Sequence, residues 1–233
     1  MHENGRAAPR LRQPDWLVLR AMARTLRRVL ADPALTLQGA RVLDFGCGTR
    51  PYEPWFLEAG AQYRGADLDG GHEVLIGQDG TLGCGDGEYD LVASFQVLEH
   101  VWDLDAYLGE ARRALRPDGA LLLSTHGSWL YHPHPHDYRR WTAEGLRREV
   151  ESRGFRLLRM DPVVGPLAWT TVFRALGATQ FLKRLPVVGA PLAAAAAVAY
   201  NLRAWLEDRI TPAAITAVNA CTYIALFRRE SRP

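Results

Sequence analysis

The chain has 233 residues, 48% hydrophobic and 23% charged, with seven Trp, eight Tyr and seven Phe, enough apolar surface to exclude a disordered or fibrous protein. Its 28 basic and 26 acidic groups leave a formal charge of +2, too balanced for a nucleic-acid partner. Cys47, Cys84 and Cys221 are odd in number and far apart, so no disulfide framework or paired-cysteine zinc pattern follows, and a reducing cytoplasm is expected. The arginine-rich N-terminus lacks the apolar centre of a secretory signal.

Residues 14–31 read as a helix, with Trp16, Leu19, Met22, Ala23, Leu26 and Leu30 at helical spacing. Arg20, Arg24, Arg27 and Arg28 fall largely on its other, solvated side. Residues 1–38 are thus expected to form a helical N-terminal extension. After Gly39 the pattern changes to short apolar runs broken by glycine. Arg41–Phe45, Gln62–Ala66, Glu73–Ile76, Tyr89–Phe95, Ala120–Thr125, Phe155–Val163 and Asn219–Phe227 read as strands. Helices are expected over Tyr52–Ala59, from Asp103 to Leu115, and from an N-cap at Thr142 to Gly154. Arg116-Pro117-Asp118-Gly119 reads as a turn.

This alternation implies an α/β fold, a doubly wound, Rossmann-like sheet of seven strands covered on both faces. The chain between Asp67 and Val74 is too short for a helical crossover, so the helix between strands 2 and 3 must be trimmed away. Residues 39–163 and 214–233 would form this domain, with 164–213 a helical insertion. Leu185–Tyr200 is uncharged and holds the alanine run 193–197, but Pro186, Gly189 and Pro191 interrupt it and it is short for a membrane span. It is expected to pack on its own domain as a lid or wall, or to serve as a homodimer interface, without stable membrane insertion.

The strongest motif is Val42-Leu43-Asp44-Phe45-Gly46-Cys47-Gly48-Thr49, a buried strand entering a glycine loop. Asp67, at the end of the next strand, suits a carboxylate holding a ribose diol. A dinucleotide fingerprint wants a third glycine where Pro51 stands, and Asp44 would repel a pyrophosphate. A cationic amino-acid moiety suits Asp44 instead. Nucleoside, ammonium and sulfonium together point to S-adenosylmethionine. A nicotinamide oxidoreductase is disfavoured on the same grounds. Cys47 reads as a small buried filler with nothing nearby to activate it, as do Cys84 and Cys221, and Asp69 as a turn residue.

Asp44-Phe45-Gly46-Cys47-Gly48-Thr49, Gly65-Ala66-Asp67-Leu68-Asp69, Tyr89 through Val101 and Arg113 through Leu123 resemble, in order and spacing, the class I S-adenosylmethionine-dependent methyltransferases. The similarity is greatest to the type-11 small-molecule branch and spans roughly residues 40–126. It implies a last strand antiparallel to the others. It also implies that Asp44, Gly46, Cys47 and Gly48 line the methionine end, that Asp67 takes the ribose hydroxyls, and that Leu68 lies beside the adenine. Asp79 and Gly80 would reach the adenine amino group, and Ser94, Phe95 and Gln96 would close the pocket. Arg50 departs from the family's usual glycine, and Gly83-Cys84-Gly85 from its apolar-aromatic pair.

Five histidines, His100, His126, His132, His134 and His136, follow the fourth and fifth strands, whose carboxyl ends should face the ligand crevice. A histidine suits the removal of a proton from an acceptor hydroxyl. His126, His136 and His100 are the catalytic candidates, with Asp137 orienting His136. The favoured reading is methyl transfer to oxygen of a small secondary-metabolite or sugar-like acceptor, with no metal. Gln96-Val97-Leu98-Glu99-His100 also resembles the Glu-x-x-Glu-His metal motif of some O-methyltransferases, which gives a metal-assisted alternative. That alternative uses Gln96, Glu99 and His100 with His126 or His136. A non-catalytic cofactor-binding interaction protein is the remaining alternative.

Overall fold

The computed structural model describes residues 5–68 and 70–230; Asp69 lies outside them. Seven strands form one sheet: β1 (Arg41–Phe45), β2 (Gln62–Asp67), β3 (Val74–Leu75), β4 (Tyr89–Phe95), β5 (Leu115–His126), β6 (Phe155–Val163) and β7 (Thr222–Arg229). Their order is β3-β2-β1-β4-β5-β7-β6. β1 to β5 pair in parallel, and β7 runs antiparallel between β5 and β6. The expected trimming holds, since only residues 68–73 join β2 to β3 and no helix intervenes among the described residues.

The strands are apolar throughout because both faces are covered. Val42, Leu91, Ala93, Phe95 and Leu122 enter one core, while Leu43, Val92, Leu121 and Leu123 enter the other. The period-two alternation of a strand splits them. The first core is closed by α1 (Trp16–Leu30), α2 (Glu53–Glu58) and α5 (Pro166–Leu182). The second is closed by α3 (Leu104–Ala114) and α4 (Ala143–Glu151). Asp103 and Thr142 cap these last two helices, accepting from Ala106 N at 2.9 Å and Gly145 N at 3.0 Å.

One boundary and one helix face differ from expectation for a physical reason. Arg116–Gly119 is not a free turn but an irregularity inside β5, because Leu115 already pairs with Tyr89 and the register then jumps to Leu91–Ala120. Asp118 absorbs the kink at φ +61°. The basic side of α1 is partly engaged: Arg27 lies 4.4 Å over the Trp55 ring, and Arg28 stands 3.6 Å from Asp161.

The insertion is a helical hairpin, α5 and α6 (Gly189–Ile210), followed by the short α7 (Ala213–Val218). Buried Ala168, Ala175, Ala193 and Ala197 are small enough to bring the two long helices close, which accounts for the alanine run. Among the described residues no helix is long and apolar enough to cross a membrane. Asn201 on α6 is fully buried and donates to the carbonyls of Leu11 at 2.8 Å and Gln13 at 2.6 Å, tying the insertion to the segment before α1. Asn201→Ala leaves both carbonyls without that donor. It should lower unfolding stability by about 1–3 kcal/mol in urea denaturation.

Candidate active site

A cleft of about 670 Å³ opens at the carboxyl edge of the sheet, beside β1 and β4. Gly46 turns the chain out of β1 at φ +85°, where an added Cβ would stand 2.5 Å from Val97 Cγ2, so only glycine fits. Gly46 N and Cys47 N both donate to Ala66 O, at 2.8 and 3.1 Å. Asp67 secures the rest of the loop, its Oδ2 accepting from Gly48 N and its Oδ1 from Leu68 N, each at 2.7 Å. Every carboxylate oxygen has a second lone pair, so this leaves Asp67 acceptor capacity on the cleft wall.

Asp44 is 2% exposed yet lines the cleft. Tyr63 Oη donates to its Oδ2 at 2.6 Å. Burial raises its pKa to about 7, with Asp67 and Glu53 adding to the rise and the Tyr63 hydrogen bond and Arg50 opposing it. Such a carboxyl ionises readily only when a cation joins it. Arg50, at φ +54°, turns from the loop to grip Glu73, Nη1 to Oε1 at 2.8 Å and Nη2 to Oε2 at 2.7 Å. This clamp holds the Glu73 carboxyl down at about 2 and braces the shortened β2–β3 connection. Cys47 Sγ lies 3.4 Å from His72 Nδ1. Burial, then Asp44 and Asp67, push its thiol up to about 12, which disfavours the thiolate.

Leu68, 74% exposed, forms the cleft rim with Asp79 and Gly80. Asp79 is hydrogen-bonded to Thr81, which holds its carboxyl below the ordinary value. Phe95 and Gln96 line the floor. Ser94 lies behind it, 2.9 Å from Tyr107 Oη, which donates to Phe45 O at 2.9 Å and stacks its ring on Phe45. Gln96 sits at φ +58° with its N–H on Ser124 O at 2.9 Å and its Nε2 on Ser124 Oγ at 3.0 Å. A strained residue at a strand exit beside a cleft is a common mark of a working site.

The histidines converge, though not all on the cleft. His100 and His134 line it, while His126 and His136 are not among the lining residues. His126 is 5% exposed, stacked on Trp129 with ring centroids 5.0 Å apart, its Nε2 3.4 Å from Glu99 Oε1. Burial holds the His126 imidazole well below its ordinary pKa. Asp137 orients His132 rather than His136: it accepts from His132 N at 2.9 Å, and His132 Nδ1 lies 3.4 Å from its Oδ2. The loop turns back here, with His134 N donating to His136 O at 3.3 Å, so the His136 ring points away toward Tyr138. Arg140 grips both Asp137 oxygens, at 2.5 and 2.7 Å, and holds that carboxyl far below the usual range. His132 and His134 both reach His100, at ring distances of 5.0 and 6.0 Å.

Tyr107 and Arg6 line the cleft beyond the residues singled out from the sequence, and His134, one of the five clustered histidines, lines it without being a catalytic candidate there. Tyr107 carried a signal, a polar aromatic on the buried side of α3, whereas Arg6 reaches the cleft only through tertiary folding. The expected Glu99 lies at 0% exposure with Thr125 Oγ1 donating to its Oε2 at 2.9 Å, and burial raises its carboxyl to about 7.

A mostly parallel sheet with one reversed strand, and a buried carboxylate facing a glycine loop, define a class I S-adenosylmethionine-dependent methyltransferase. The methyltransferase-domain family pattern matches residues 16–159, and the chain belongs to that family. It is 28% identical over 136 residues to a "Probable S-adenosylmethionine-dependent methyltransferase" of Mycolicibacterium smegmatis, covering 51% of this chain and 53% of that one. A ubiquinone biosynthesis O-methyltransferase of Bradyrhizobium is 32% identical over 103 residues, covering 38% and 41%. The chain thus spans about half the length of these relatives or less. Among solved structures, an S-adenosylmethionine-dependent methyltransferase from Mesorhizobium loti shares the fold at a TM-score of 0.51 and 16% identity, covering 94% of this chain and 100% of that one.

The cofactor is S-adenosylmethionine, and the residues present fit it. Asp44 offers a buried, cleft-facing carboxylate to a cationic group. A Cβ at Gly48 would meet nothing within 4 Å, so the loop leaves open space for a ligand.

The Asp44 carboxyl gives a pH dependence of defined sign. Its folded pKa, about 7, exceeds the ordinary value of 3.8, so its contribution to stability is full below 3.8 and is lost as pH rises through 7. Asp44→Asn should flatten that part of the stability profile in thermal melts. S-adenosylmethionine affinity, measured by calorimetry, should rise across about pH 6 to 8 in the native protein, as Asp44 ionises against the ligand's cation, and stay level in Asp44→Asn.

Proposed function

We propose that this chain catalyses methyl transfer from S-adenosylmethionine to a hydroxyl oxygen of a small acceptor, a secondary metabolite or sugar-like molecule. The observation that carries the reading is the meeting of two chemistries in one cleft. The carboxylates of Asp44, Asp67 and Asp79 and the imidazoles of His100 and His134 line the same cleft. The similarity to ubiquinone O-methyltransferases favours oxygen over nitrogen as the acceptor atom. The near-neutral charge suits a small molecule better than a nucleic acid. Three free cysteines suit a reducing cytoplasm, where we place the enzyme.

When bound, S-adenosylmethionine supplies an electrophilic methyl group on a sulfonium. In this assignment Asp44 holds the ammonium end, Asp67 the ribose hydroxyls and Asp79 the adenine amino group. Leu68 covers the adenine face. Gly46 and Gly48 let the loop approach closely, while Phe95 and Gln96 form the floor. The displacement is in line, so the protein's main task is alignment, and the acceptor's proton leaves toward His134, which shares a cleft wall with His100. His126, buried against Trp129, backs that wall.

Two measurements test the assignment. Asp67→Ala should weaken S-adenosylmethionine binding by about 1–3 kcal/mol in calorimetry, through the loss of buried polar partners. An unchanged dissociation constant in a folded variant would remove the ribose role. Incubation with a panel of phenols, hydroxyl-bearing metabolites and amines should release S-adenosylhomocysteine with hydroxyl acceptors. With the best of them, the double variant His100→Ala/His134→Ala should turn over about 10²–10⁴-fold more slowly at nearly unchanged cofactor affinity.

A further inference from the structure

Glu99, His100 and His132 are brought together from the turn after β4 and from the loop after β5, and one ligand atom from each lies within 4.8 Å of the others. The polar contacts around them leave the inward atoms free. His100 Nδ1 is 2.5 Å from His136 O, and a carbonyl only accepts, so Nδ1 carries the hydrogen and Nε2 keeps its lone pair. His132 Nδ1 faces Leu130 O at 3.3 Å and Asp137 Oδ2 at 3.4 Å, both acceptors, which again leaves Nε2 as the ligating nitrogen. Thr125 fixes Glu99 through Oε2, while Glu99 Oε1 is buried with no hydrogen-bond partner.

A carboxylate oxygen at 0% exposure, without a hydrogen bond among the described residues and with His126 Nε2 3.4 Å away, facing imidazole nitrogens whose other nitrogens are held by oxygens, is the arrangement of a metal site with its outer support in place. We propose that Glu99, His100 and His132 bind one divalent ion of the zinc type. Two imidazoles and a single carboxylate suit such an ion, whereas magnesium and calcium prefer an all-oxygen shell.

This set differs from the one suggested by the motif. Gln96 is turned to Ser124, and His136 contributes its carbonyl to His100 instead of its ring. His126 Nε2, 3.4 Å from Glu99 Oε1, borders the site as a further donor. The supporting loop is tied down on both sides, Tyr138 N to Glu99 O at 2.8 Å and Trp141 N to His126 O at 3.0 Å, so the ligands are held before an ion arrives. Because His100 also lines the cleft, the ion would border the acceptor's space and could take an acceptor oxygen as its remaining ligand. That last role rests on the methyl-transfer reading; the ion site itself does not.

The test uses the whole chain, stripped with a chelator, then titrated with Zn²⁺ by calorimetry and with Co²⁺ by visible absorption. One ion per chain should bind, with cobalt bands of a low-coordinate nitrogen and oxygen site. His132→Ala and Glu99→Gln should each weaken binding at least about tenfold, while His136→Ala leaves it unchanged. If Glu99→Gln fails to fold, His132→Ala, on a part-exposed loop, decides alone. S-adenosylmethionine affinity should stay within about twofold in His132→Ala. No saturable ion binding, or binding of equal strength in His132→Ala, overturns the site. Zinc binding by a chain that does not bind S-adenosylmethionine supports the site and overturns the methyl-transfer reading instead.

Discussion

The strand order reverses between β1 and β4, and the site depends on that adjacency. β2 and β3 extend the sheet one way from β1, while β4 and β5 extend it the other way. The connections leaving β1 and β4 therefore diverge, and a crevice opens at their carboxyl ends. The glycine loop after β1, Asp67 at the end of β2 and the Gln96–His100 segment after β4 all lie on this edge. None of these side chains would meet another without the parallel pairing of Asp44 with Gly65 and Ala93.

The crevice is held open by two unlike braces. On the cofactor side, the Asp67 carboxylate binds loop N–H groups and the Arg50–Glu73 pair clamps the shortened connection to β3. On the histidine side, Arg140 grips Asp137, and Arg139 reaches the carbonyls of Val101 and Trp102. These guanidinium forks fasten loops to loops, which short apolar strands cannot do. Both sides also carry a buried acid whose ionisation burial opposes, Asp44 on one and Glu99 on the other. A buried carboxyl with few partners is poised for a cation, and the occupants proposed above differ, an organic cation at Asp44 and a metal ion at Glu99.

The insertion is part of the same core rather than an appendage. Asn201 grips the segment before α1, Gly165 N donates to Asp208 Oδ1 at 3.0 Å, and Val172 and Ala204 join the cluster that α1 covers. Small residues at the α5–α6 contact let the helices approach closely, so the alanine run serves packing within this chain.

Much of this was legible in the residues. Apolar runs bounded by glycine placed the strands, because a sheet covered on both faces needs continuous apolar strands. The short span after Asp67 dictated the missing crossover helix, and Asp44, Gly46 and Asp67 marked the edge where the cleft opens because their spacing is local to one strand-loop-helix unit. The kink at Asp118 was not legible, since a turn signal reads the same inside a strand as outside it. The choice of His132 over His136 as the partner of Asp137 was not legible either. Local sequence reports which side chains a loop offers, but the direction each takes is set where the chain turns back and where Arg140, Tyr138 and Trp141 fasten it to β5 and the turn after β4. Periodicity and spacing determine elements joined by a few residues. Contacts between distant segments, such as Glu99 with His132 or Asn201 with Leu11, exist only once the sheet is assembled, and tertiary structure alone decided them.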